Sequence, residues 1–97
     1  MAEVVYSARA LAHLERAFDF LARHDPEAAP VAAEAIGRAV DLLAAHPFIG
    51  RRIRGHVREL VISYGRTGYV ALYRFLPARK EVRVLAIKHQ REFRYPA

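Results

Sequence analysis

The sequence predicts an α+β domain in which an antiparallel helical hairpin packs on an antiparallel β-meander. The first half of the chain carries apolar residues at helical spacing, and residues 57–88 hold three runs of strand-forming residues separated by short turn signals. With 97 residues, the chain is long enough for one small hydrophobic core. We therefore expect residues 1–97 to form one domain.

A short strand and a first helix are expected at the N-terminus. Residues 3–6 are rich in valine and tyrosine, and Ser7 is a plausible N-cap for a helix that begins at Ala8. Polar residues such as Glu15 and Arg16 lie away from the apolar stripe, which makes this helix amphipathic. The stripe predicted to be buried consists of Leu11, Leu14, Phe18 and Leu21 and is widened by Ala10 and Ala17.

A second helix is expected to begin at residues 25–27, where an acidic cap, a proline and a further acidic residue follow one another. It should end before His46 and Pro47. The connection between the helices is so short that they must form an antiparallel hairpin. The buried stripe of the second helix is predicted to contain Ala32, Ala35, Ile36, Ala39, Val40 and Leu43.

The strand runs of the meander are separated by turns at residues 65–68 and 77–80. Each run is apolar at both odd and even positions, and strands of this kind are normally covered on both faces. The helical hairpin can cover one face only. We expect the second face to be exposed and to bind a partner. By strand alternation it carries Val70, Leu72, Arg74 and Leu76.

Basic residues are concentrated in the second half of the chain. Residues 1–48 contain four basic and seven acidic residues, a net charge of −3, whereas residues 49–97 contain twelve basic and three acidic residues, a net charge of +9. This asymmetry favours an acidic partner, either nucleic acid or an acidic protein segment. We interpret residues 48–56 as a loop that carries Arg51, Arg52 and Arg54 and either connects the two halves or binds phosphate or carboxylate groups.

The composition also excludes several classes of protein. The chain has no cysteine, its five histidines lack metal-ligand spacing, and it has no glycine-rich phosphate-binding motif, so we expect neither a metal nor a cofactor. No apolar run approaches the length of a membrane span, and the N-terminus lacks the basic start of a signal peptide. We therefore expect a cytoplasmic protein without a membrane partner.

The order of the elements, together with the strings RELVISYG, GYVALYRF and VLAIKHQRE, resembles the RelE/ParE toxin superfamily of bacterial toxin–antitoxin modules. The resemblance spans nearly the whole chain and rests on the stretches G-Y-x-x-x-Y-R and V-L-x-I-x-H. It implies a type II toxin that inhibits growth, acts in plasmid stabilisation and forms a hetero-oligomer with a cognate acidic antitoxin. Such antitoxins often carry a ribbon-helix-helix DNA-binding domain and wrap the toxin with a disordered segment.

The superfamily that the chain resembles is divided into poisons of DNA gyrase and ribosome-dependent messenger-RNA endonucleases. The nuclease branch typically has an arginine directly after the tyrosine that opens the G-Y-x-L-V-Y strand, and this chain has Val70 there. That departure favours the ParE-like branch and DNA gyrase as the target. The alternative is a metal-independent endonuclease that acts on the ribosome and its message, and a further one is a plain nucleic-acid-binding module.

The resemblance and the charge pattern together give two sets of candidate site residues. The residues expected to bind the antitoxin are Arg54, Arg58, Val70, Leu72, Arg74, Leu76 and Arg83. The candidates for nuclease chemistry are Glu59, Arg54, Arg58, Arg74, His89 and Arg91. Glu59 is either a general base or, as is more common, the ion-pair partner of Arg58, Arg74 or Arg83. His89, at a strand end, is either a catalytic acid or a structural residue. The tyrosines of the strands are expected in the core.

Overall fold

The computed structural model describes residues 1–64 and 67–89, in which two helices pack on one face of a five-stranded mixed sheet. The sheet order is β1-β5-β4-β3-β2, with β1 parallel to β5 and every other pair antiparallel. The α+β fold predicted from the sequence is confirmed. The elements are β1 (Glu3–Tyr6), α1 (Ala8–His24), α2 (Ala28–Asp41), β2 (Arg51–Arg54), β3 (Val57–Tyr64), β4 (Thr67–Leu76) and β5 (Glu81–His89).

Helix α1 begins where the sequence predicts. The hydroxyl of Ser7 accepts a hydrogen bond from the backbone N–H of Ala10 at 3.0 Å, which satisfies one of the free donors of the first turn. Residues 25–27 connect α1 to α2, and α2 continues into a short 3-10 turn, Leu42–Ala44. The predicted helical hairpin is therefore confirmed, with a second helix that begins after the predicted cap and proline and ends a few residues earlier than expected.

The buried stripe of α1 is narrower than the prediction, which included Leu11 and Phe18. Leu11 is 48% exposed and Phe18 is 40% exposed, so both lie at the margin of the core. The stripe that packs on the sheet consists of Ala10, Leu14, Ala17 and Leu21, which also recur at helical spacing. Because the two alanines are small, the helix packs closely on β5. The larger Leu11 and Phe18 lie beside this contact and stay partly exposed. In α2 and the 3-10 turn that follows it the predicted stripe is confirmed, with Ile36, Val40 and Leu43 almost fully buried.

The segment at residues 48–56, interpreted as a loop from the sequence, contains a strand. β2 pairs antiparallel with β3 through Arg51 opposite Glu59 and Arg54 opposite Val57, and the turn between the strands uses Gly55 with a φ of +53°. Most L-residues avoid that backbone conformation, and glycine adopts it freely. A strand at the sheet edge with arginines at most positions has no apolar alternation, so its pattern did not predict a strand.

An irregularity in β5 ties the sheet to α1. The pairing of β4 with β5 shifts by one residue between Leu72 and Tyr73, which leaves Leu85 as an extra residue in β5. The Ser7 hydroxyl donates a hydrogen bond to the Leu85 carbonyl at 3.2 Å, and the backbone N–H of Ile87 donates one to Nδ1 of His13 at 3.3 Å. Two side chains from the start of α1 thus satisfy backbone groups beside the bulge.

Candidate functional site

Three of the arginines predicted to bind a partner lie in one row across the face of the sheet that α1 and α2 leave uncovered, here called the outer face. Arg74 is paired with Val57 of β3 and with Arg83 of β5, and Val57 is paired with Arg54 of β2. Directly paired residues point to the same face, so Arg54, Arg74 and Arg83 lie together. Arg74 is exposed, whereas Arg83 forms an ion pair with Glu81 at 2.7 Å between Nη2 and Oε2.

Glu59 lies in the next row of the outer face and is only 8% exposed. Its Oε1 accepts a hydrogen bond from Nε of Arg51 at 2.9 Å and forms an ion pair with Nη2 of the same guanidinium at 2.7 Å. The sequence predicts Arg58, Arg74 or Arg83 as the partner, whereas the ion pair in the structure is with Arg51. The pairing of β2 with β3 places Arg51 directly opposite Glu59, and this strand pairing was not visible in the sequence.

The expectation that Val70 lies exposed on the outer face is also wrong. Val70 is 4% exposed, and its neighbours Leu72 and Leu76 are half-buried. Val61, which is paired with Val70 on the same face, is 53% exposed. The outer face therefore combines a row of arginines with a modest apolar surface.

Arg58 lies on the other side of the sheet from that row. It is paired with Tyr73, whose side chain is in the core, and its Nη1 donates hydrogen bonds to the carbonyls of Gly50 at 2.8 Å and Phe48 at 3.3 Å. The guanidinium also lies over the ring of Phe48, 5.1 Å from its centroid. Arg58 thus holds the segment before β2 in place.

Tyr73 is the largest fully buried side chain of the described chain. Its hydroxyl accepts a hydrogen bond from the backbone N–H of Gly50 at 2.8 Å. Burial raises the pKa of Tyr73, and the hydrogen bond from Gly50 and the charge of Arg58 offset that effect only in part. The phenol is therefore a neutral structural group, as expected for a core tyrosine.

A pocket of about 340 Å³ opens where the turn between β2 and β3 meets the end of β4. Arg52 and Arg74 line it together with Arg58, and its apolar wall includes Phe48 and Phe75. Sequence reasoning missed this pocket, because its residues come from separate elements. The exposed aromatic next to an arginine-rich segment was the one signal that could have pointed to it.

The family model described as ParE toxin of type II toxin-antitoxin system, parDE, matches residues 4–93. The chain belongs to this family of toxins. The wider RelE/ParE superfamily inferred from the sequence is thereby confirmed. Membership also implies an antitoxin partner for this ParE-family toxin.

Relatives of the ParE-family chain match it over almost its full length. Toxin RelE3 of Caulobacter vibrioides is 35% identical and covers 97% of this chain and 100% of its own. Toxin RelE1 of the same organism is 34% identical, with coverage of 94% and 96%. A solved structure of the chromosomal ParDE TA system from P. aeruginosa superposes with a TM-score of 0.75 at 26% identity and covers 92% of this chain and 96% of that chain.

The nuclease candidates are not all brought together in the ParE-family fold. His89 is paired with Tyr69, and their rings make an edge contact at 5.4 Å. Tyr69 and Arg74 lie five positions apart on β4, which at the rise of a strand is about 16 Å. His89 is thus at the opposite end of the sheet from Arg54 and Arg74, and Arg91 lies outside the described residues.

No helix in the described part of the chain is both long and apolar enough to span a membrane.

Proposed function

We propose that this toxin acts by binding and poisoning DNA gyrase. The observation that carries the proposal is the separation of His89 from the arginine row. A metal-independent ribonuclease needs its base, its acid and its cations around one phosphate, within hydrogen-bond reach of the reacting atoms. A distance of about 16 Å along β4 is too long for His89 and Arg74 to serve the same phosphate.

Glu59 supports the same proposal. As a candidate base it would have to accept a proton from the 2′-hydroxyl of the message. Its Oε1 already accepts a hydrogen bond from Nε of Arg51 and forms an ion pair with Nη2 of the same side chain, and the residue is buried. A carboxylate enclosed in this way offers little access to a hydroxyl of the message.

A ribosome-dependent endonuclease remains the second candidate function. Two relatives that match nearly the whole chain are named RelE toxins. The row of Arg54, Arg74 and Arg83 also carries the charge that a phosphate-binding surface needs.

A paired assay tests the choice between the targets. Purified toxin is added to a gyrase supercoiling reaction and, separately, to a translating ribosome system whose message is examined by primer extension. We expect inhibition of supercoiling and an intact message. Cleavage of the message at fixed codon positions, with supercoiling unaffected, would reverse the proposal.

We further propose that the antitoxin binds the outer face through an extended acidic segment. The row of Arg54, Arg74 and Arg83 offers partners for carboxylates, and Val61, Leu72 and Leu76 offer an adjoining apolar surface. Such a segment would fold on binding, and the antitoxin carries in addition a ribbon-helix-helix DNA-binding domain. The result is a hetero-oligomer.

Titration of the toxin with its cognate antitoxin tests this interface. Arg74→Ala should weaken the complex by about 2–4 kcal/mol, because it removes a charge that is enclosed on binding. Arg79→Ala, an exposed arginine after the end of β4, is the matched control and should cost less than about 1 kcal/mol. If the two substitutions reduced the affinity for the antitoxin equally, or if Leu72→Glu left it unchanged, the antitoxin would bind another surface.

A further inference from the structure

The pocket at the end of the sheet collects positive charge, and none of the described residues in its lining is acidic. Its lining includes Arg52, His56, Arg58 and Arg74. Its volume of about 340 Å³ is in the range of ligand pockets. Cations that share a concave surface without acidic neighbours attract an anion, because none of the charge is neutralised locally.

Two of these arginines keep donors available for a ligand. Arg52 uses Nε to donate to the Gly55 carbonyl at 2.8 Å, and its terminal nitrogens make no hydrogen bond within the described residues. Arg74 is exposed and has neither a hydrogen bond nor an ion pair with the described part of the chain. Arg58, by contrast, is held by the carbonyls of Phe48 and Gly50, so its role is to position Phe48.

Phe48 supplies the other half of the site. It is 62% exposed although the guanidinium of Arg58 lies over its ring and Phe75 meets it edge-on at 5.3 Å. The ring is thus fixed in orientation while much of it still faces solvent. An exposed and oriented aromatic among arginines is the arrangement by which proteins hold single-stranded nucleic acid, with bases on the ring and phosphates on the cations.

We propose that this pocket binds single-stranded nucleic acid, with a phosphate on Arg52 and Arg74 and the adjoining base against Phe48. The site goes beyond the action on gyrase, since it binds a nucleic-acid strand directly. Its phosphate donor Arg52 and its aromatic Phe48 are separate from the arginine row of the outer face, and only Arg74 belongs to both. A duplex fits poorly, because its stacked bases cannot reach a ring at the wall of a pocket.

Fluorescence anisotropy with labelled oligothymidylate tests the proposal. We expect a dissociation constant in the range of about 10⁻⁶ to 10⁻⁴ M that rises steeply with salt, as for other non-specific sites. Phe48→Ala should weaken binding about tenfold or more by removing the stacking surface. Arg52→Ala should weaken binding and lower the salt slope by about one unit.

Matched controls distinguish binding in the pocket from the general effect of removing a positive charge or an exposed aromatic side chain. Phe20 is 60% exposed on α1, close to the value for Phe48, and Phe20→Ala should leave the affinity within about twofold. Arg79→Ala removes an equal charge outside the pocket and should likewise have little effect. Phe48→Tyr keeps the aromatic face and should retain binding, which guards against loss of fold in the alanine variant.

Several results would overturn the proposal. Equal losses from Phe48→Ala and Phe20→Ala would show that stacking on Phe48 does not occur. If duplex DNA bound as tightly as the single strand, the protein would recognise only the charge of the phosphate backbone. An acidic peptide of glutamate and leucine that binds with the same sensitivity to Phe48→Ala, while oligothymidylate does not bind, would identify a protein-docking pocket instead. None of these results bears on the supercoiling assay, so the two proposals fail separately.

Discussion

The backbone N–H of Gly50 donates a hydrogen bond to the hydroxyl of Tyr73 at 2.8 Å, inside the core. A Cβ atom at Gly50 would lie 2.6 Å from that hydroxyl and 2.7 Å from the carbonyl oxygen of Glu59, so only glycine fits without a shift. Arg58 binds the carbonyl of the same glycine. One residue before β2 is therefore anchored through both of its backbone groups, and this anchor places Phe48 beside the pocket.

Removing the Tyr73 hydroxyl should destabilise the protein. Tyr73→Phe leaves the buried N–H of Gly50 without an acceptor, which should cost about 1–3 kcal/mol in the free energy of unfolding measured by urea denaturation. Tyr6→Phe is the control, because the Tyr6 hydroxyl makes no hydrogen bond in the described chain, and it should cost less than about 0.5 kcal/mol. Similar costs for both would show that the Gly50 hydrogen bond contributes nothing.

Stability should fall at alkaline pH through the buried tyrosines. Burial raises the pKa of Tyr73, and burial followed by the charge of Asp41 raises that of Tyr6. A phenol whose pKa is higher in the folded state stabilises the fold fully below its unfolded-state pKa of about 10. This stabilisation is lost as the pH rises through the folded-state pKa. The unfolding free energy should therefore decline above about pH 10, and less steeply in Tyr73→Phe. An identical decline in that variant would show that ionisation of Tyr73 does not cause the loss of stability.

The ion pair between Arg51 and Glu59 should stabilise the fold more than an exposed pair does. Arg51→Ala leaves a carboxylate that is 8% exposed with fewer partners, and we expect a loss of about 1–3 kcal/mol. The control is Arg38→Ala, which breaks an exposed pair with Glu34 one turn away on α2 and should cost less than about 0.5 kcal/mol. Thermal and urea unfolding of the two variants give the comparison, and equal losses would mean that Glu59 is solvated in solution.

The hairpin should be far more sensitive at Leu43 than at Phe18. Leu43 is fully buried, and Leu43→Ala should cost about 2–5 kcal/mol, enough to unfold much of a domain of this size. Phe18 is 40% exposed, so Phe18→Ala should cost less than about 1.5 kcal/mol. Melting curves that rank the variants in the opposite order would show that α1 packs through the stripe predicted from the sequence.

An arginine at position 70 should destabilise the protein rather than create a nuclease. Val70 is 4% exposed, so Val70→Arg would bury a charge without a partner and should cost more than about 3 kcal/mol. Val61 is directly paired with Val70 and 53% exposed, so Val61→Arg should change stability by less than about 0.5 kcal/mol. A stable Val70→Arg protein that cleaves message on the ribosome would show that the outer face readily accepts the nuclease residue.

The sequence by itself determined the features that depend on neighbours along the chain. Helical spacing and the Ser7 cap located α1, the acidic and proline-containing start located the second helix, and the turn signals divided the later strands. These are local effects of backbone geometry and capping, so a short window of residues is enough to recognise them. The unequal charge of the two halves was likewise readable without a structure.

The tertiary structure decided which side chains meet. The edge strand β2 places Arg51 against Glu59, and its arginines gave no periodic signal because an edge strand needs little apolar surface. The pocket joins Phe48 and Arg52 to Arg74, which lies on another strand, so only the sheet order brings them together. The burial of Val70 and the choice of residues through which α1 packs on the sheet were not readable from the sequence. They depend on how closely the helices and the sheet approach, and the packing of the whole core sets that distance.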